Sequence, residues 1–195
     1  MNQHQYDRIM AAIDDAHACD PRQDKASDTP YELAYARRMS EWLERVAPDA
    51  DAELRVAARA QHFRRWESPR EDYPMTRPGY HAWRTDLQKR QASLVAELLS
   101  EEGVTADEIG RISALILKQN IKTNPEMQAL EDTIALAFLD HYVEAFAEEH
   151  DDDKLGRILA RTWAKMSAHG HQLAGTLTFS PRLSRIMAEA LPAAD

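Results

Sequence analysis

An all-α fold, one compact domain of about eight helices, is predicted by three observations on the amino-acid sequence. Apolar residues recur at three- and four-residue spacing along most of the chain, the period of a helix with one buried face. Asp, Asn, Ser or Thr followed within three residues by Pro or Glu punctuates these runs where helices should start. Glycine is scarce, with six among 195 residues, and runs of β-branched residues are few, which disfavours sheet architectures.

The elements follow in order. Tyr6, Ile9, Met10 and Ile13 predict a first helix from about residue 4 to 18. Asp20-Pro21 and the polar residues to Asp28 read as a loop, ended by Thr29-Pro30-Tyr31-Glu32, a capping-box pattern with Pro at the first helical position. The second helix runs to about Ala47 on Leu33, Tyr35, Met39, Trp42, Leu43 and Val46, with Arg37 and Arg38 flanking that face; Arg38 is placed to reach inward. Asp51 starts a third helix through Leu54, Val56, Ala57 and Gln61 to about Trp66. Pro69, Pro74, Pro78 and Gly79 then require a constrained loop over residues 67 to 79, and long loops of this kind are often functional. Tyr80, Trp83, Leu87, Leu94, Val95, Leu98 and Leu99 mark the clearest helix, stopped by Gly103. Thr105-Ala106-Asp107-Glu108 is a capping box for a short helix ending near Lys118, with Lys118 and Lys122 flanking its exit. Asn124-Pro125 opens a long helix expected to reach Glu149. Asp151, Asp152 and Asp153 suit the N-terminus of a helix through Leu155, Leu159, Trp163 and Met166, and after a poorly patterned stretch Ser180-Pro181 opens the last one.

Charge is distributed unevenly. The whole chain carries −9, yet Arg55 to Arg90 holds nine Arg or Lys against four acids, together with Trp66, Tyr73, Tyr80 and Trp83. Guanidinium groups match phosphate oxygens and aromatic faces match bases. The segment therefore predicts an anion site contacted by Arg38, Arg65, Trp66, Arg70, Tyr80, Trp83, Arg84 and Lys118. The acidic remainder argues against general nucleic-acid binding. A lone Cys19 forms no internal disulfide, and no apolar run is long enough to span a membrane; a soluble, cytoplasmic protein is expected.

His62, late on an Ala-rich helix, and Asp132, inside the apolar run Leu130-Glu131-Asp132-Thr133-Ile134-Ala135-Leu136, form the candidate interior polar pair. A carboxylate in such surroundings needs a cation, a metal or several donors. His62 is assigned as acid/base or phosphate donor and Asp132 as its orienter; a divalent metal would have these two as its ligands. His169-x-His171 lacks a third ligand at a recognisable spacing.

The runs Tyr35-Ala36-Arg37-Arg38-Met39, Ala57-Ala58-Arg59-Ala60-Gln61-His62-Phe63-Arg64-Arg65-Trp66, Tyr73-Pro74-Met75-Thr76-Arg77-Pro78-Gly79-Tyr80 and Leu130-Glu131-Asp132-Thr133-Ile134 resemble the uncharacterised family known as domain of unknown function 4202. More distantly, the helix order is similar to the HD-domain phosphohydrolases. That likeness implies a metal held by two His and two Asp. Asp132 matches the last ligand, but Gln61-His62 stands at the His-Asp position and Arg37 or Arg38 near the first His, so the ligand set is altered. Together these readings predict an HD-like domain that binds, and as a phosphohydrolase would hydrolyse, a phosphate-bearing small molecule such as a nucleotide. The alternative is a non-catalytic module that docks an acidic protein or RNA through the Arg/Trp segment.

Overall fold

In the computed structural model, residues 1–119 and 123–191 are described; Lys122 lies outside them. Their α-helices are α1 (Gln3–His17), α2 (Tyr31–Val46), α3 (Ala52–Arg59), α4 (Arg77–Glu101), α5 (Ala106–Ile116), α6 (Pro125–His141), α7 (Val143–Glu148), α8 (Asp152–Trp163), α9 (Ala168–Ala174) and α10 (Pro181–Ala190). Two single-turn 3₁₀ helices, Arg65–Glu67 and Arg70–Asp72, precede α4, and a two-residue ribbon pairs β1 (Gln23–Asp24) with β2 (Thr29–Pro30). The fold is all-α, with more and shorter helices than the periodicity predicts. Among the described residues, no helix is long and apolar enough to cross a membrane.

Helix α2 is the central strut and packs on α6, α3, α1 and α9, while α4 packs on α5 and α8 on α10. Its apolar stripe is buried as its spacing requires: Met39, Trp42 and Leu43 are almost fully enclosed and join one core cluster with Ile9, Leu99, Ile112, Leu136, Leu155 and Leu183. Truncating a core leucine such as Leu136 to Ala would cost about 2–5 kcal/mol. The Arg59 guanidinium locks α3 to α1 through two 2.7 Å hydrogen bonds to Asp14.

Helix starts coincide with short polar side chains. Asp51, Thr76, Asn124, Asp151 and Ser180 each accept from a first-turn amide, and Thr105 with Glu108 completes a capping box. One such expectation fails at Thr29-Pro30-Tyr31-Glu32. There Pro30 is the N-cap, and its ring offers no side-chain acceptor, while Glu32 turns inward to Arg22. The preceding loop folds around Asp24, whose Oδ1 accepts from the amides of Ala26 and Ser27.

Three further boundaries depart from the pattern, each for a tertiary reason. Helix α3 stops at Arg59 rather than Trp66 because His62 and Arg64 adopt φ of 62° and 50°, left-handed values that break a helix. The helix expected to reach Glu149 breaks at Tyr142, which turns toward Arg38. The poorly patterned stretch forms α9 because Asp132, from α6, accepts the amide of its cap residue Ser167 at 2.8 Å. At the start of α4, a Cβ on Gly79 would stand 2.1 Å from the carbonyl oxygen of Pro74, so the Pro-rich loop closes on the helix only with glycine there.

Candidate anion site

The chain bends sharply between α3 and α4, and the bend carries His62 and Arg65 against the inner face of α2. His62 stacks on Tyr35 with ring centroids 4.2 Å apart and an interplanar angle of 16°. Arg65 approaches His62 Nε2 at 3.0 Å, and Nδ1 of the ring lies 3.3 Å from Oε2 of Glu32, a buried oxygen without a hydrogen-bond partner among the described residues. Burial, with Arg65 beside it, pushes His62 down to about 4 despite that carboxylate, so the ring is neutral at pH 7. Burial opposes the charge of Glu32, but His62, Arg65 and Arg22 outweigh it and hold the carboxyl at about 2. Arg22 divides its guanidinium between Glu32, at 2.7 Å, and Asp20, at 2.8 Å.

Two cavities meet at this point. The smaller, about 80 Å³, is walled by Gln61 and His62 of the bend, by Arg84, Leu87 and Gln91 of α4, and by Lys118 at the exit of α5. The larger is a groove of about 680 Å³ between the ribbon, α6 and α7, with Tyr31, Phe138, Tyr142 and Phe146 on its walls. Both share Tyr35, His62, Arg65 and Ile134.

The small chamber is rich in unanswered positive charge. Lys118 is paired with Glu131, and burial lowers its pKa despite that partner. Among the described residues neither Arg65 nor Arg84 forms an ion pair. Gln91 is buried and its Nε2 has no hydrogen-bond partner. Two of the chamber's residues, His62 and Lys118, hold positive φ. Each such backbone costs about 1–3 kcal/mol and persists where surrounding structure imposes it, often at functional sites.

The remaining predicted contacts disperse. Arg38 reaches inward as expected, but to Asp24, at 2.6 and 3.0 Å, and the Tyr142 hydroxyl, at 2.9 Å; it clamps the ribbon onto α2. Arg70 donates to the carbonyls of Tyr73 and Pro74 and faces the Tyr80 ring, so it holds the Pro-rich loop. Trp83 is buried under Arg65, its indole donating to Ser68 O at 2.9 Å. Trp66 lines a different groove, with Phe63 and Leu94.

His62 and Asp132 are not brought together. Asp132, 2% exposed, accepts from Gln128 Nε2 at 3.1 Å and from the amide and hydroxyl of Ser167. A Cβ on Gly170 would stand 2.8 Å from its carboxylate. Its charge is thus met by donors of α6 and α9, and the expected orienter of His62 is a helix cap. Glu32 holds that place. As for metal, no group of three or more His, Cys, Asp or Glu able to hold an ion occurs among the described residues; the two expected ligands have separate partners, Arg65 beside His62 and Gln128 with Ser167 at Asp132. His171 stacks on Trp163 at 4.0 Å rather than pairing with His169.

The chain matches the family described as domain of unknown function (DUF4202) over residues 7–187. It belongs to that family. No curated protein and no solved structure matches it. Within this DUF4202 chain the site residues missed by pattern reading are Glu32, Tyr35 and Gln91. Gln91 carried a signal: it follows Trp83 and Leu87 at four-residue spacing, a polar side chain on an otherwise apolar stripe. Glu32 carried a misleading one, since its position after Thr29 is that of a capping-box acid.

Proposed function

We propose that this DUF4202 chain binds a phosphate-bearing small molecule, with a nucleotide as the class that fits best. The observation that supports it is the junction of a small cationic chamber with a larger aromatic groove along Tyr35, His62 and Arg65. Phosphate would meet Arg65, Arg84 and Lys118, whose donors suit its oxygens. A planar base would lie toward Tyr31, Phe138 and Tyr142 in the groove, where apolar walls and a few polar groups match the usual make-up of a ligand pocket. His62 stands at the junction, neutral and set between Glu32 and Arg65, where it would contact the ligand between phosphate and base.

The docking alternative needs the arginines of the basic segment splayed outward. Arg55 and Arg59 are instead engaged by Glu44 and Asp14, while Arg64 and Arg90 share Glu67 at the surface; the pocket reading is favoured by Arg65 and Arg84 lining one cavity with His62. The experiment is titration calorimetry with nucleoside mono-, di- and triphosphates, with and without Mn²⁺, and an assay of released phosphate in the same samples. Saturable binding that Arg65→Ala and Arg84→Ala weaken supports the proposal, and phosphate release adds hydrolysis to it. Absence of binding by every nucleotide refutes it.

A further inference from the structure

We infer that the chamber takes a terminal phosphate, the doubly charged monoester with three free oxygens, and discriminates against phosphodiesters. This rests on the ligand-binding reading above and narrows it to a chemical class. The first argument is charge. Among the described residues Arg65 and Arg84 form no salt bridge, Glu131 pairs with Lys118, and Glu32, which lies close enough to Arg65 to feel its charge, pairs with Arg22. Counted with Arg22 and Asp20, which belong to the same cluster as Glu32, the surroundings leave about one positive charge, and each cation there attracts a monoester of about −1.5 to −2 more strongly than a singly charged diester.

The second argument is donor geometry. Arg65, Arg84, Lys118 and Gln91, which line the chamber, are carried by the bend, α4 and the α5 exit. Gln91 Nε2 is a buried donor without an acceptor, and such a group ordinarily marks a missing partner. A monoester offers three free oxygens to donors carried on three separate elements, whereas a diester offers two. The third argument is confinement. A cavity of about 80 Å³ is small beside the 680 Å³ groove, so the group with the highest charge density belongs there and its organic part in the groove.

The test uses methyl phosphate and dimethyl phosphate, which isolate the phosphate from any preference for a base. Binding to the full chain is read by ³¹P line broadening and by thermal unfolding at matched ionic strength. Methyl phosphate should bind at least about tenfold more tightly than dimethyl phosphate, as expected when a charge-assisted contact is lost. Arg84→Ala should weaken methyl phosphate by about tenfold and leave dimethyl phosphate within about threefold. Because Arg84 is exposed, that variant should fold, and Gln91→Met gives a second one that removes only the amide. Equal binding of the two esters, both dependent on Arg84, would overturn the monoester inference and leave an anion site standing. If nucleotides bind but neither methyl ester does, the chamber is not the phosphate site and the inference fails. When methyl phosphate and all nucleotides fail to bind, the ligand-binding reading itself is lost.

Discussion

Asp132 and the Arg65–Arg84 chamber both carry charged side chains beside the core, and they differ in how those groups are answered. Asp132 is nearly inaccessible, and its oxygens meet Ser167 and Gln128. Among the described residues the chamber has two guanidiniums that form no salt bridge, a buried amide nitrogen without an acceptor, and two residues with left-handed backbone. From sequence Asp132 and His62 read as one interior polar pair, with the arginines as anion contacts beside it. A buried charge whose partners are complete belongs to the architecture, whereas one whose partners are incomplete is where a ligand gains the most.

The largest effect should separate the two regions directly. Asp132→Ala leaves the Ser167 amide at the start of α9 without its acceptor and should destabilise the fold by about 2–4 kcal/mol, read as the urea midpoint. It should leave affinity for methyl phosphate unchanged in the folded fraction. A drop in affinity that exceeds the unfolded fraction would join the two regions again. Conversely, Arg84→Ala should weaken phosphate binding by about tenfold, or about 1.4 kcal/mol, with thermal stability in the absence of ligand unchanged or raised, because it removes repulsion toward Lys118.

Acid titration sharpens the comparison further. His62 is held at about 4, below its ordinary 6.5, so as pH falls the unfolded chain takes up that proton first and stability declines from 6.5 toward 4. Glu32 is held at about 2, below its ordinary 4.5; its contribution is present above 4.5 and is lost as pH falls toward 2. The His62 component should amount to roughly 2–3 kcal/mol between about pH 7 and about pH 4, and His62→Gln should flatten it. Buried His17, lowered by burial as well, should leave a residual slope in that variant. An unchanged pH profile would show that His62 is not desolvated. The smallest expected effect is at Arg70, where Arg70→Ala should cost about 1 kcal/mol by loosening the Tyr73 and Pro74 carbonyls, with phosphate affinity unaltered.

Several parts of the site were legible before any coordinates. Arg65, Arg84, Lys118 and His62 were singled out by charge and by position near a bend, and the structure gathers them on one chamber. Arg38 and Arg70 carried the same charge signal but are used inside the fold, because Asp24 and the loop carbonyls lie within their reach. Trp66 and Trp83 were indistinguishable by type, yet a bend of a few residues sends them to different surfaces.

What the sequence alone determined is the local part of the structure. Helix periodicity, the caps at Thr105, Asn124 and Asp151, and the buried stripe of α2 depend on neighbours within one or two turns, so they are written into adjacent residues. Only the tertiary structure decided where helices stop without Gly or Pro, at Arg59 and Tyr142, and which polar side chains meet. His62 finds Glu32 thirty positions away and Ser167 finds Asp132 thirty-five positions away. Those pairings depend on how helices pack, and a side chain that would be costly alone becomes stable, or ready for a ligand, only when packing supplies or withholds its partner.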